Sequence, residues 1–402
     1  MAEAIIYDAV RTPRGKGKKD GALNEVPALQ LLSGTFKAIR KRNNLDTSYV
    51  EDAIIGCVSQ VAEQGSDIAK TAAIAAGFSN NTAGVTLNRY CGSGLEAINQ
   101  ASAYVMSGQS DLIVAGGIES MSRVVMGSDG AALFTDPFMI LKHNIVPQGI
   151  SADLIATKYG YQREQLDAFA VESHRRAAAA WEEGRFNKSI IPVKDMFGAV
   201  ILDKDEMVRA DANIQKLSAI KPAFEMMGAM AGYDSVAIQR YPEVETFVHP
   251  HHAGNSSAIV DGAALVLIGS AKMGKKLNLK PRAKIVSFAV VGVEPTIMLT
   301  GPGPASLKAL KKAKMNVSDI DLFEVNEAFA VVPLRYMEEL NISSDKVNVN
   351  GGAIAMGHPL GATGAMLMST LIDELERQNK QTGLVTLCIG GGMGIATIIE
   401  RV

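Results

Sequence analysis

The sequence predicts an α/β protein made of two similar halves with a long segment inserted between them. Short apolar runs of strand character alternate with helical periodicities, the pattern of sheets covered by helices. A plan of Gly-rich turn, amphipathic helix, apolar strand and glycine pair occurs twice, near Cys91 and near His358. From roughly 120 to 250 the rhythm breaks into a strong helix and then irregular sequence rich in Met, Gly and Pro. Long insertions of this kind often carry binding loops.

The elements follow in order. Ala4 to Val10 reads as a strand, and Pro27 opens a helix with Leu32, Phe36 and Ile39 on one face. Ala53 to Val58 is a second strand. The turn Cys91-Gly92-Ser93-Gly94 leads into a helix from Leu95 to about Met106, then a strand from Asp111 to Ala115 ended by Gly116-Gly117. A helix is expected over Gln165 to Glu183, and strands over Ala283 to Val293 and Leu322 to Val325. The second copy of the plan runs from Gly361-Ala362-Thr363-Gly364 through a helix of Met366 to Leu375. It continues into a strand, Leu384 to Ile389, that meets Gly390-Gly391-Gly392, and Ile395 to Glu400 is the last strand.

Composition narrows the class. The chain has 402 residues, 47% of them hydrophobic and 20% charged, which suits a globular protein of more than one structural unit. A net charge of -2 gives no reason to expect a nucleic-acid partner, and the local lysine clusters read as solvated faces or as a wall around an anionic ligand. Three cysteines cannot build a disulfide framework, so a reducing, cytoplasmic location is expected. A strand beginning at Ala4 leaves no room for a signal peptide, and no apolar run nears the roughly 20 residues of a membrane helix.

Four segments could carry chemistry. Cys91 precedes a helix, where unpaired N–H groups and the helix dipole would stabilise a thiolate and lower its pKa. Cys388 ends a strand at three glycines whose N–H groups could form an oxyanion hole, and its thiol could exchange a proton with a reacting carbon. His358, in Gly357-His358-Pro359, is flanked by glycines that admit a ligand close to the backbone, and its imidazole could take a proton from a thiol. Asn326, in Asn326-Glu327-Ala328-Phe329, follows a strand and either caps a helix or holds a polar group at the strand's C-terminal edge. Cys57 reads as core with no polar neighbours, and His143 and His174 as surface or helix-face residues. The cluster His249, His251 and His252 lacks partners at metal-ligand spacing.

Together these segments resemble the thiolase family over essentially the whole chain. The blocks that carry the resemblance are Cys91-Gly92-Ser93-Gly94, Gly116-Gly117-Ile118-Glu119-Ser120-Met121-Ser122, the Asn326 box, Gly357-His358-Pro359 with Gly361, and Cys388 with Gly390-Gly391-Gly392. The resemblance implies a duplicated five-layer αβαβα fold with an inserted loop domain. Residues 1–120 and 250–270 would form the N-terminal half with Cys91, 121–249 the loop domain that binds coenzyme A, and 271–402 the C-terminal half. It makes Cys91 the nucleophile that carries the acyl group, His358 its base, and Cys388 the second acid/base. Asn326 would hold a water that, with His358, binds the thioester oxygen, and the N–H groups of Cys91 and Gly390 would form a second oxyanion hole. By position, Arg209 matches a residue that stacks on adenine, Ser257 one that contacts the pantetheine arm, and Met298 one that lines the acyl end. The implied reaction is ping-pong cleavage of a 3-ketoacyl-CoA by free coenzyme A in fatty-acid β-oxidation. Coenzyme A is a substrate there, and neither metal nor other cofactor is implied. A homodimer or homotetramer is expected, with a β-oxidation multienzyme complex as a further partner.

Two departures bear on the substrate. About twenty residues are added between Phe224 and Ala253 relative to short acetoacetyl-CoA enzymes of the family. Val146-Pro147-Gln148 stands where those enzymes tend to have Met-His, which favours longer or branched 3-ketoacyl chains. The alternatives are an acetyl-CoA acetyltransferase making acetoacetyl-CoA by Claisen condensation, and an acyl-CoA-binding protein without catalysis. A ketoacyl synthase would carry two histidines and no second cysteine, so Cys388 argues against it.

Overall fold

A computed structural model of the chain describes residues 2–130 and 132–402. In the first half, β1 (Ile5–Arg11) is followed by α1 (Ala28–Arg42), β2 (Asp52–Gly56), β3 (Val85–Leu87), α2 (Ser93–Ser107) and β4 (Leu112–Ser120). The chain then builds α3 (Gln148–Tyr159), α4 (Arg163–Glu182), a small hairpin of Val193–Lys194 with Val200–Leu202, and α5 (Tyr233–Arg240). It rejoins the sheet at β5 (Val260–Gly269). The second half comprises β6 (Ala283–Gly292), α6 (Pro302–Ala313), β7 (Leu322–Val325), α7 (Val331–Leu340), α8 (Thr363–Arg377), β8 (Thr382–Ile389) and β9 (Met393–Arg401).

The duplication is visible in the pairing. From its outer edge the first half reads β3, β2, β4, β5, β1, parallel for the first two pairings and antiparallel for the next two. The second half reads Val347, β7, β8, β9, β6 with the same sequence of senses, Val347 contributing a parallel bridge to Phe323. A short antiparallel contact of Ile5 with Lys284 and Ile6 with Ala283 joins the halves into one ten-stranded sheet.

Five layers result. Helices α2 and α8 lie between the two half-sheets, where Leu95, Ile98 and Val105 meet Met366, Leu371 and Leu375 in one buried cluster with both sheets. Leu31, Leu32 and Phe36 of α1 cover the outer face of the first half-sheet, and Ala305, Ala309 and Leu310 of α6 that of the second. A helix in the middle layer has no solvent face, which is why α8 is buried from Thr363 to Leu375.

The sequence expectation names neither β3, α3, α5 nor α6, and it differs from the structure at three further elements. β5, with all ten residues buried, was not anticipated as a strand, although Leu265-Val266-Leu267-Ile268 carries a strand signal. β4 continues past Gly116-Gly117 to Ser120. Those glycines permit close approach: a Cβ on Gly116 would lie 2.0 Å from the Ala264 carbonyl oxygen, and one on Gly117 1.9 Å from that of Gly361. Asn326 does not open a helix, since α7 begins at Val331.

Candidate active site

Cys91 is set by the turn before α2. Tyr90 adopts a left-handed φ of 44°, and the Ser93 hydroxyl donates to the Tyr90 carbonyl at 2.6 Å. The N-termini of α2 and α8 abut because glycine is the second residue of each. A Cβ on Gly364 would sit 2.3 Å from the Leu95 nitrogen, and one on Gly94 2.6 Å from the Gly361 oxygen. That contact draws the turn carrying Cys91 against the loop carrying His358, Pro359 and Leu360. Leu360 packs beside Cys91 with Val58 and Met121.

Cys91 rests as a neutral thiol. Burial pushes its pKa up to about 11, against the expectation from the helix N-terminus, while donors from the Gly390 N–H, its own N–H and the Gln148 side chain oppose the rise. α2 starts only at Ser93, so the low-dielectric surroundings outweigh the dipole. His358 is also neutral: burial, helped by the Arg14 charge, lowers it to about 3. Thr363 Oγ1 lies 2.6 Å from His358 Nδ1 and itself donates to the Pro359 carbonyl, so Nδ1 carries the ring proton. The network thereby assigns the lone pair to Nε2, which accepts from Asn326 Nδ2 at 3.3 Å. Asn326 Oδ1 is buried without a protein partner. Cys388 is fully buried at the end of β8, and burial together with the nearby Cys91 sulfur raises its pKa. Asn326, His358, Cys388, Gly390 and Cys91 therefore belong to one neighbourhood.

One cavity opens on this neighbourhood and a second lies close by. The first, of about 380 Å³, opens on Cys91 and Gly390 and is walled by Val58, Met126, Ile140, Ile145, Val146 and Leu360. Tyr90, Asp129, Gln148 and Tyr233 add polar groups to it. A second, of about 300 Å³, is lined by His174, Arg209, Lys216, Ala258 and Ile354. It lies behind His358, whose N–H donates to the Ala258 carbonyl at 2.9 Å. Arg209 is on this second cavity, and half-buried Ser257 directly precedes its lining residue Ala258, with its N–H bonded to the Ala328 carbonyl. Met298 is fully buried in the apolar cluster of Cys388 and is not among the residues lining the chamber on Cys91.

Several other sequence readings change. His174 is buried, accepts the Arg209 N–H at 3.1 Å, and is lowered to about 4 by burial and the Arg209 charge. Cys57 has a polar neighbour after all: its sulfur lies 4.0 Å from Glu119 Oε1. The three clustered histidines are each held by aspartates, His249 between Asp153 and Asp234, His251 by Asp153, and His252 by Asp167. No group of three or more potential ligands is placed to hold a metal among the described residues.

Sequence reasoning missed Thr363, Gln148, Glu119 and the pair of Arg11 and Arg14. Fully enclosed Glu119 accepts from the N–H groups of Val58, Ser59 and Gly361 at 2.9–3.1 Å, so it ties a loop of the first half to the turn that follows His358 in the second. Arg11 and Arg14 are buried on Asp205, at 2.8 and 3.3 Å, which anchors the inserted segment to β1. Arg14 Nη1 also reaches the Met356 sulfur two residues before His358.

The duplicated five-layer fold brings two cysteines and a histidine to the junction of its halves, a set of groups that suits acyl transfer. The comparisons agree. Residues 4–239 match the family model described as thiolase, N-terminal domain, and residues 279–401 that of thiolase, C-terminal domain. The chain belongs to the thiolase family, acyltransferases acting on acyl-CoA and coenzyme A. Among relatives, a 3-ketoacyl-CoA thiolase of Aeromonas hydrophila is 41% identical, with both chains covered in full. One of Acinetobacter baumannii is 42% identical, covering 100% of this chain and 98% of its own. The solved structure of the Bacillus anthracis acetyl-CoA acetyltransferase superposes with a TM-score of 0.85 at 34% identity, covering 100% of this chain and 99% of the other.

Proposed function

We propose that the chain is a 3-ketoacyl-CoA thiolase that cleaves chains larger than acetoacetyl by a ping-pong route through a Cys91 thioester. The observation that carries this reading is the largely apolar chamber of about 380 Å³ opening directly on the Cys91 sulfur, far more room than the methyl of an acetyl group needs. In the first half-reaction His358 Nε2 takes the thiol proton as the sulfur attacks the 3-keto carbon. The C2–C3 bond breaks, and Cys388 protonates C2 to release acetyl-CoA. In the second, the Cys388 thiolate takes the coenzyme A thiol proton as that sulfur attacks the acyl carbon, the S–C bond to Cys91 breaks, His358 returns its proton to the departing Cys91 sulfur, and the shortened acyl-CoA leaves.

Because thiol and imidazole both rest uncharged, proton transfer and attack would proceed together rather than through a stored ion pair. Asn326, with its buried unpaired Oδ1, suits a bound water beside His358 Nε2 as one oxyanion site. The Gly390 and Cys91 N–H groups, already directed at the sulfur, supply the other. The second cavity, with Arg209 and Lys216 on it, suits the phosphorylated end of coenzyme A, with Ser257 along the pantetheine arm and Met298 packing behind Cys388. Coenzyme A enters as a substrate, and thiol, imidazole and backbone supply the chemistry without a resident cofactor. We read the enzyme as cytoplasmic; no helix among the described residues is long and apolar enough to cross a membrane. The partly exposed edge strand β3 supports assembly with a second copy as a homo-oligomer.

The test is CoA-dependent thiolysis over 3-ketoacyl-CoAs of increasing length, with mass spectrometry of the trapped intermediate. Activity should rise beyond acetoacetyl-CoA, and the acyl mass should sit on the peptide bearing Cys91. Cys91→Ala should abolish turnover and leave coenzyme A affinity intact. Reaction with acetoacetyl-CoA alone would overturn the substrate assignment, and unchanged turnover in the Cys91 variant the mechanism.

A further inference from the structure

Gln148 is the first residue of α3 and belongs to the inserted segment, yet its side chain ends at the reacting sulfur. It lines the chamber together with Cys91 and Gly390, its Nε2 is so near Gly390 that a methyl group there would lie only 3.4 Å away, and its amide opposes the rise of the Cys91 thiol pKa. The amide and the Gly390 N–H thus approach the sulfur together, with the Cys91 N–H as a third donor. α3 holds the amide firmly in place. Ser151 Oγ donates to the Thr296 carbonyl at 2.7 Å, and Asp153 is bonded to His249 and His251.

We propose that Gln148 is a catalytic residue whose amide N–H stabilises negative charge on the Cys91 sulfur both when it attacks and when it leaves. This rests on the thiolase reading above and adds a group to it. The sulfur is anionic at two moments: as its proton passes to His358 during S–C bond formation, and as the S–C bond breaks when coenzyme A takes the acyl group. A donor acting on the sulfur favours both half-reactions, unlike a wall residue, which affects only substrate fit. An amide does not titrate, so this assistance is constant with pH. The titratable groups around the sulfur are His358, Cys388, Glu119, Tyr90, Asp129 and Tyr233, and replacing Gln148 leaves all of them in place.

The experiment compares Gln148→Met, which keeps the length and removes the donor, with the isosteric Gln148→Glu, both checked for native circular dichroism. The first readout needs no substrate: the rate of Cys91 alkylation by iodoacetamide against pH, followed by mass spectrometry. In Q148M the profile should move to higher pH. Single-turnover acylation and deacylation should both slow by about tenfold to a hundredfold, as for a donor lost from an anion, with the KM for coenzyme A within about twofold. Q148E should be slower still. An unchanged alkylation profile in both variants, with altered chain-length preference only, would overturn the proposal and leave Gln148 as part of the wall. Failure of the wild type to form an acyl-Cys91 would instead refute the thiolase reading, a result the alkylation arm does not depend on.

Discussion

His358 carries two consequences at the scale of single residues. Its depression to about 3 means that activity should show no inflection near pH 6.5, the ordinary imidazole value, from this ring in the free enzyme. The same shift governs stability. The unfolded chain binds this proton below about 6.5 whereas the folded chain holds it off until about 3, so stability is lost as pH falls through that window. The expected slope from this group is up to about 1.4 kcal/mol per pH unit. Urea midpoints measured between pH 4 and 7 should show it, and His358→Gln should flatten it; an equal slope in that variant would place the acid sensitivity elsewhere. Cys91, Cys388, His358 and Asn326 were legible in the sequence because each stands at a strand end or glycine turn. Thr363 and Gln148 were not, since a hydroxyl and an amide gain meaning only from the atom they touch.

At the scale of elements, the decisive contact is between the starts of α2 and α8. Gly364→Ala would drive a methyl group into the backbone at Leu95, where a flexible side chain cannot give way. We expect a loss of about 1–3 kcal/mol, typical of overpacking, from urea unfolding. The same variant should turn over markedly more slowly, because the separation between Cys91 and His358 changes with it. Native stability and turnover would show that the helices can part without moving the site. The apolar periodicities announce α1, α2, α4 and α8 and most strands, whereas Gly116-Gly117 reads as a stop that the structure does not make. Glycine in a strand marks an ending or a close approach, and only the neighbouring strand decides which.

For the molecule as a whole, the question is what holds the inserted segment over the junction of the halves. Part of the answer is Asp205, buried with Arg11 and Arg14, while Arg11 also lies over the rings of Phe186 and Trp181. Asp205→Asn would leave two buried guanidinium groups without their counter-charge, at a cost of about 3–5 kcal/mol. It should lower the urea midpoint and, because Arg14 also meets Met356 near His358, reduce turnover. An unchanged midpoint would mean that the arginines find another partner.

By itself the sequence determined the alternation of strands and helices, the repeated plan and the four candidate site positions, since periodicity and turn chemistry are local properties. Only the tertiary structure decided that Cys91 rests as a neutral thiol, that Gln148 lines the chamber on Cys91 and Glu119 holds the Gly361 turn, and that this chamber is largely apolar. Burial and long-range hydrogen bonds set those properties. Both depend on residues such as Arg11 and Asp205, which lie 194 positions apart in the chain and touch only when the two half-sheets and the insertion have closed on one another.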